Sequence, residues 1–297
     1  MKGMLLCVLF AAALPVQAQF GGFDIGKALD IGRKAMDQGS PMGKEFSEED
    51  EIGLGNALTA SFLGAAPLHA DANLQRYVNR VGKWIALHSE RPELPWTFSV
   101  VDTETINAFA MPGGSIIVSS GLVKRLGSEA ELAGVLAHEI AHVVKKHQLT
   151  AIQSGMKADF WKSVGTSIAS DRVRIGGGAV GSAVGSVAKP YILDAAGNLI
   201  KDGFFLRPLD RGLESEADQL AIVLATRSGY DPYGLVGALQ MLAQVKGASD
   251  AASLFSTHPS PADRMADIEK AMPAIERYTA NAQRLEGRFR QTVGAAK

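Results

Sequence analysis

Cysteine is nearly absent from this sequence. Among 297 residues Cys7 is the sole cysteine, so the chain cannot staple itself with a disulfide or hold a metal with a thiolate set. Charge of either sign is not in excess: 30 Lys and Arg stand against 31 Asp and Glu. With no global field and no nucleic-acid motif, no nucleic-acid partner is expected. Long greasy runs are also missing. Met4 to Leu14 is too short to span a bilayer comfortably. Val173 to Leu193 is built of small residues and contains Lys189-Pro190, so it reads as a flap or a loosely packed helix rather than a span. An apolar content of 46% supports a substantial core in one large domain or two small ones.

The first 18 residues have the layout of a secretory signal: Lys2, a short apolar core, then Val16-Gln17-Ala18 as a small-x-small cleavage site. Cys7 would leave with it. Export to a bacterial periplasm is the natural inference. Residues 19–45 form a glycine-rich leader with a weak helical rhythm, expected to be poorly ordered.

From there the pattern is mainly helical. Ser47 with Glu48, Glu49 and Asp50 looks like a helix start running to about Leu63. Asp71 caps a second helix, with Leu74, Tyr77, Val78, Val81 and Ile85 on one stripe. Trp96 to Val101, Asn107 to Met111 and Ser115 to Ser119 read as strands. The turn Pro112-Gly113-Gly114 suggests that the small sheet is antiparallel. An edge strand here could accept a substrate backbone, or the hairpin could be purely structural. Beyond Gly155, a glycine-rich insert spans 155–206. Helices are expected again after Asp210, after Pro232 and after Pro261. A polar, arginine-bearing tail helix, 273–297, is expected to be solvated, with a basic face able to touch acidic lipid or a partner.

Chemistry concentrates in His138-Glu139-Ile140-Ala141-His142. Ser128 is a good N-cap for a proline-free helix, with Glu131 at the capping-box position, and that helix should run to about His147. Residues four apart on a helix share a face, so both imidazoles can grip one metal ion. Glu139 can then reach a water beside that ion without binding it. The alternative, two structural histidines, leaves buried imidazoles in need of partners. His147 falls on another face and is not counted as a ligand. Glu214 and Asp218 are also four apart. Spacing leaves them either as a source of a third oxygen ligand with an acidic partner, or as a solvated helix end. Glu216 should point elsewhere. His258, in a proline-framed turn, either touches the site or caps a helix.

The ordered blocks Asn107-Ala108-Phe109-Ala110-Met111-Pro112-Gly113-Gly114, Gly121-Leu122, Ser128-Glu129-Ala130-Glu131-Leu132, His138 to His142, Glu214 to Asp218 and Thr257-His258-Pro259 resemble the HtpX and CAAX prenyl protease family of zinc metallopeptidases. Within it they are most similar to soluble, exported bacterial members of the LoiP and BepA kind, without the tetratricopeptide repeat domain. The resemblance runs from about Phe46 to Ile268. It implies a zincin-like (gluzincin) α+β peptidase domain, mainly α, over 46–272. It also implies one Zn2+ per chain on His138, His142 and Glu214, with Glu139 as the catalytic carboxylate. Asp218 matches an acidic partner of the ligands, and His258 a histidine that lies near the zinc and can plug it. Asn107, Gly113, Gly114 and Ser115 are the expected substrate-binding residues; Arg264 and His258 are candidates for oxyanion stabilisation. The implied activity is endopeptidase cleavage of misfolded or damaged envelope polypeptides, peripheral to the outer membrane or its assembly machinery. The alternative is an envelope chaperone or assembly factor with a latent zinc site.

Overall fold

A computed structural model describes residues 47–153, 209–245, 258–275 and 279–294. The signal at 1–18, the leader at 19–45 and the insert at 155–206 lie outside the described residues. Helix α1 (Glu48–Ala65) and helix α2 (Ala72–Ala86) precede strands β1 (Thr97–Val101), β2 (Ala108–Met111) and β3 (Ser115–Ser119). Then come α3 (Ser120–Val123), α4 (Glu129–Val144), α5 (His147–Gln153), α6 (Arg211–Arg227), α7 (Gly234–Ala243), α8 (Pro261–Ala271) and α9 (Glu286–Gly294). The mainly helical α+β reading holds for these residues.

Helix α4 is the axis of the fold. Every residue from Glu129 to Val143 is buried, so its surroundings rather than an amphipathic stripe decide its place. Ser128 caps it by accepting the N–H of Glu131 at 3.1 Å, and the Glu131 carboxylate reaches back to the N–H of Gly127 at 2.7 Å. Helices α6 and α7 pack along it, α6 most extensively, while α2 and β2 close other sides. The α2 stripe of Leu74, Tyr77, Val78, Val81 and Ile85 faces this core as its periodicity requires.

The sheet departs from expectation. Its order is β1-β3-β2, with β3 antiparallel to β2 but parallel to β1. The Pro112-Gly113-Gly114 turn does make a hairpin, with Gly113 at φ 75°. The third strand, however, lies beside β3 instead of beside β2. An antiparallel sheet is therefore corrected to a mixed one, and β3 is central, with both edges already hydrogen-bonded.

Two further readings change. The helix expected to run to His147 stops at Val144: Lys145 is its C-cap and Lys146 adopts φ 57°, so His147 begins a new helix in a new direction. Leaving the right-handed region for one residue resets which face each later side chain occupies. The tail helix α9 is not free in solvent. Phe289 and Val293 are buried in the core, and the Arg284 carbonyl accepts the N–H of Ala130 at the start of α4. Arg288 reaches Glu129, a fully buried carboxylate. Its Oε2 accepts from Tyr77 Oη at 2.6 Å and from Arg288 Nε at 2.6 Å. Its Oε1 accepts from Tyr230 Oη at 2.8 Å and from Arg288 Nη2.

Candidate metal centre

Two turns beyond Glu129, α4 carries His138, Glu139 and His142, and α6 lays Glu214 and Asp218 against them. His138 Nε2 and His142 Nε2 stand 3.0 Å apart. Glu214 faces both: Oε2 lies 3.6 Å from His138 Nε2, and Oε1 lies 3.4 Å from His142 Nε2. His258 arrives from the turn before α8, where Ser260 caps the helix and Pro261 occupies its first position. Its Nδ1 is 2.7 Å from Glu214 Oε2. One donor atom from each of His138, His142, Glu214 and His258 lies within 4.8 Å of the others, all four residues being buried.

Do these residues suit a divalent ion? Glu214 Oε1 is buried with no hydrogen-bond partner among the described residues, an arrangement that proteins avoid unless another group completes it. Three imidazoles and one carboxylate form a borderline N/O donor set, the kind zinc takes. The backs of the first two rings are also engaged. His138 Nδ1 is 2.8 Å from Asp218 Oδ1, and His142 Nδ1 is 2.9 Å from His147 Nδ1. Each ring thus turns its Nε2 inward. The donor set fits the metal.

Electrostatics follow from burial. Burial pushes the Glu139 carboxyl above its usual range, against the pull of His258 and His138. Burial also drives His142 well below its ordinary value, with neighbouring imidazoles adding to the effect. For Glu214 burial works upward, but His258 and His138 outweigh it and hold the carboxylate low. For Asp218 burial also works upward, but Arg264 and His138 win decisively and keep it ionised far below the usual range. The guanidinium donates to Asp218 from Nε at 2.9 Å and from Nη2 at 2.6 Å. Arg264 thus anchors Asp218 through two of its nitrogens. Burial lowers His258, but Glu214 more than compensates and raises it.

Of the residues marked in the sequence, the fold brings together His138, Glu139, His142, Glu214, Asp218 and His258. It does not bring Gly113, Gly114 and Ser115 to them as an open surface. Helix α1 covers the turn: a Cβ on Gly113 would stand 2.6 Å from the Ile52 Cα, and one on Gly114 would meet Trp96 at 3.3 Å. Ser115 Oγ is bonded to Thr97 Oγ1 at 2.7 Å, and Asn107 is buried with its Oδ1 accepting the N–H of Ala108. These four positions are buried, with α1 over the turn and β3 central in the sheet. Instead β2 packs beside α4, and Ala108, Val135, Leu239 and Leu242 wall a small cavity shared with His138, Glu139 and His258. At about 30 Å³ it has room for a water or two and none for a side chain. His147 and Glu216 stand outside the quartet, as expected, but they meet behind His142; the break at Lys146 that allows this leaves no glycine or proline as a signal.

A buried His-Glu-x-x-His helix completed by a glutamate from a second helix defines a metallopeptidase-type centre. Residues 72–272 match the model of Peptidase family M48; the chain belongs to that family. It is 30% identical over 234 residues to the beta-barrel assembly-enhancing protease of Escherichia coli K12, covering 78% of this chain and 45% of that protein. It is 32% identical over 204 residues to the mitochondrial metalloendopeptidase OMA1 of Schizosaccharomyces pombe, covering 67% of this chain and 53% of that one. The metalloprotease LoiP of E. coli K12 is 28% identical over 180 residues, 61% of this chain and 64% of its own. The chain thus spans about half the length of the first two.

Proposed function

We propose that this chain is a zinc-dependent endopeptidase of the bacterial envelope that hydrolyses misfolded or damaged polypeptides. The observation that carries the proposal is the buried quartet with its uncompensated Glu214 oxygen beside Glu139. His138, His142 and Glu214 would hold one Zn2+. When bound, zinc would polarise a carbonyl and lower the pKa of a water towards neutrality. Glu139 is on the same helix, one residue from His138, and lines the same small cavity, placed to take a proton from water and return it to the leaving amine. Asp218, fixed by Arg264, keeps His138 in the tautomer that directs Nε2 inward.

The substrate backbone would lie along the outer edge of β2 rather than along β3. Among the described residues no strand pairs with that edge, and extended chains commonly bind by adding a strand. His258 sits against Glu214 and must swing away before a carbonyl can enter. This closed arrangement favours a second reading, an assembly factor or chaperone whose peptidase site is latent. Similarity to a protease named for β-barrel assembly supports placing either role at the outer membrane. Among the described residues no helix is long and apolar enough to cross a membrane.

Glu139→Gln tests the proposal. Hydrolysis of a casein-like substrate should fall by about 10⁴-fold, the upper range for a general base, with zinc content by mass spectrometry unchanged. Undiminished turnover refutes the assignment. Rescue of a deletion phenotype by the same variant would favour the assembly reading.

A further inference from the structure

The back of His142 differs from the back of His138. Where Asp218 stands behind one ring, a second histidine stands behind the other: His142 Nδ1 and His147 Nδ1 are 2.9 Å apart. Both rings are buried. The far nitrogen, His147 Nε2, faces Glu216 Oε2 at 3.5 Å. Glu216 is about half exposed, and Lys145 pairs with its other oxygen at 2.7 Å. The contacts therefore lead from the metal centre, through His147, to a surface carboxylate on the same helix as Glu214.

The hydrogen inventory leaves one arrangement compatible with metal binding. A neutral imidazole has one N–H and one lone pair. If His142 Nε2 gives its lone pair to an ion, Nδ1 must carry the hydrogen. That N–H then donates to His147 Nδ1, so His147 must carry its own hydrogen on Nε2. The recipient within reach is Glu216, whose exposed side chain can close a 3.5 Å gap to hydrogen-bond length. We infer that His147, backed by Glu216, is a positioning residue that fixes the tautomer and ring pose of His142 and so sets zinc affinity. The inference rests on the metal reading above. It gives His147 a role without making it a ligand.

The test is zinc affinity of the full chain by chelator competition, alongside thermal melting of the metal-free protein. His147→Phe keeps the bulk and removes the acceptor; it should weaken zinc binding 10- to 100-fold, the usual effect of losing such a partner. His147→Asn restores an acceptor near the Nδ1 position and should recover affinity to within about threefold of wild type. Glu216→Ala, an exposed change that spares the fold, should weaken binding by about threefold or more. Two-bond ¹⁵N–¹H spectra of the zinc-loaded wild type should show His147 with its hydrogen on Nε2. An affinity within twofold of wild type for His147→Phe, an Asn variant no tighter than Phe, or His147 protonated on Nδ1 overturns the inference. If His147→Phe does not fold, the Glu216→Ala affinity and the wild-type spectrum decide. A wild-type chain that takes up no zinc overturns the metal centre itself and this role with it.

Discussion

Two glutamates, both buried, sit against the two ends of α4. Glu129 at its start has each oxygen doubly engaged, by Tyr77, Tyr230 and the Arg288 guanidinium. Glu214, laid against the helix nearer its end by α6, keeps one oxygen without a partner among the described residues and gathers imidazoles instead of tyrosines. Burial alone is therefore no mark of function. A saturated carboxylate is a structural knot, whereas one held short of saturation beside lone pairs is a cradle for a cation. The donors decide: tyrosine and arginine bring hydrogens and close the account of lone pairs, while neutral imidazoles bring lone pairs of their own.

The contrast can be broken by exchanging the costs. Glu214→Gln should weaken zinc binding by more than about a hundredfold, beyond the loss of an outer partner, while metal-free melting stays level or rises. Equal affinity by chelator competition would mean Glu214 is only another knot. Glu129→Ala should do the reverse. It strands two buried hydroxyls and should cost about 3 kcal/mol in denaturant unfolding, leaving the zinc dissociation constant within about threefold. A smaller loss is expected for Arg288→Leu. The side chain is half exposed and both tyrosines still donate, so about 1 kcal/mol is expected in the same unfolding measurement.

The smallest effect is a slope. Burial works to raise the Glu129 carboxyl, but Arg288 and the tyrosine hydroxyls outweigh it and hold it below the ordinary value of 4.5. A carboxylate depressed in the folded state binds fewer protons there than in the unfolded chain. Its stabilisation is complete above about pH 4.5 and is lost as pH falls through the folded value. Acid unfolding of Glu129→Gln, followed by circular dichroism, should therefore depend less steeply on pH over that window than unfolding of wild type.

How much of this was legible beforehand divides along the same lines. The Ser128 cap, the α2 stripe and the three strands are local patterns, and each appears within a residue or two of its expected bounds. So does the meeting of His138 with His142, which needs only one turn of helix. Strand order is not local: alternating residues carry no trace of whether β1 lies beside β2 or β3. The Glu129 knot needs Tyr77, Tyr230 and Arg288, distant in sequence, and an arginine-bearing helix reads as solvated until its Phe289 is seen in the core. That His147 and Glu216 meet behind His142 was not legible, for a sharper reason. Helical arithmetic assumes an unbroken helix, and a lysine at φ 57° interrupts α4 without the glycine that usually announces such a residue.

One contact between helices has a further meaning. A Cβ at Gly134 would stand 2.5 Å from the Leu235 backbone nitrogen, and one at Gly234 would stand 2.1 Å from the Ala130 carbonyl oxygen. The α4 and α7 main chains touch directly, with nothing compressible between them, one turn below His138. A methyl group at residue 134 would act as a wedge, levering Leu239 and Leu242 away from the wall they share with Glu139. The spacing of the cleft is thus gauged by two missing side chains, and lengthening either one by a single carbon would reset it.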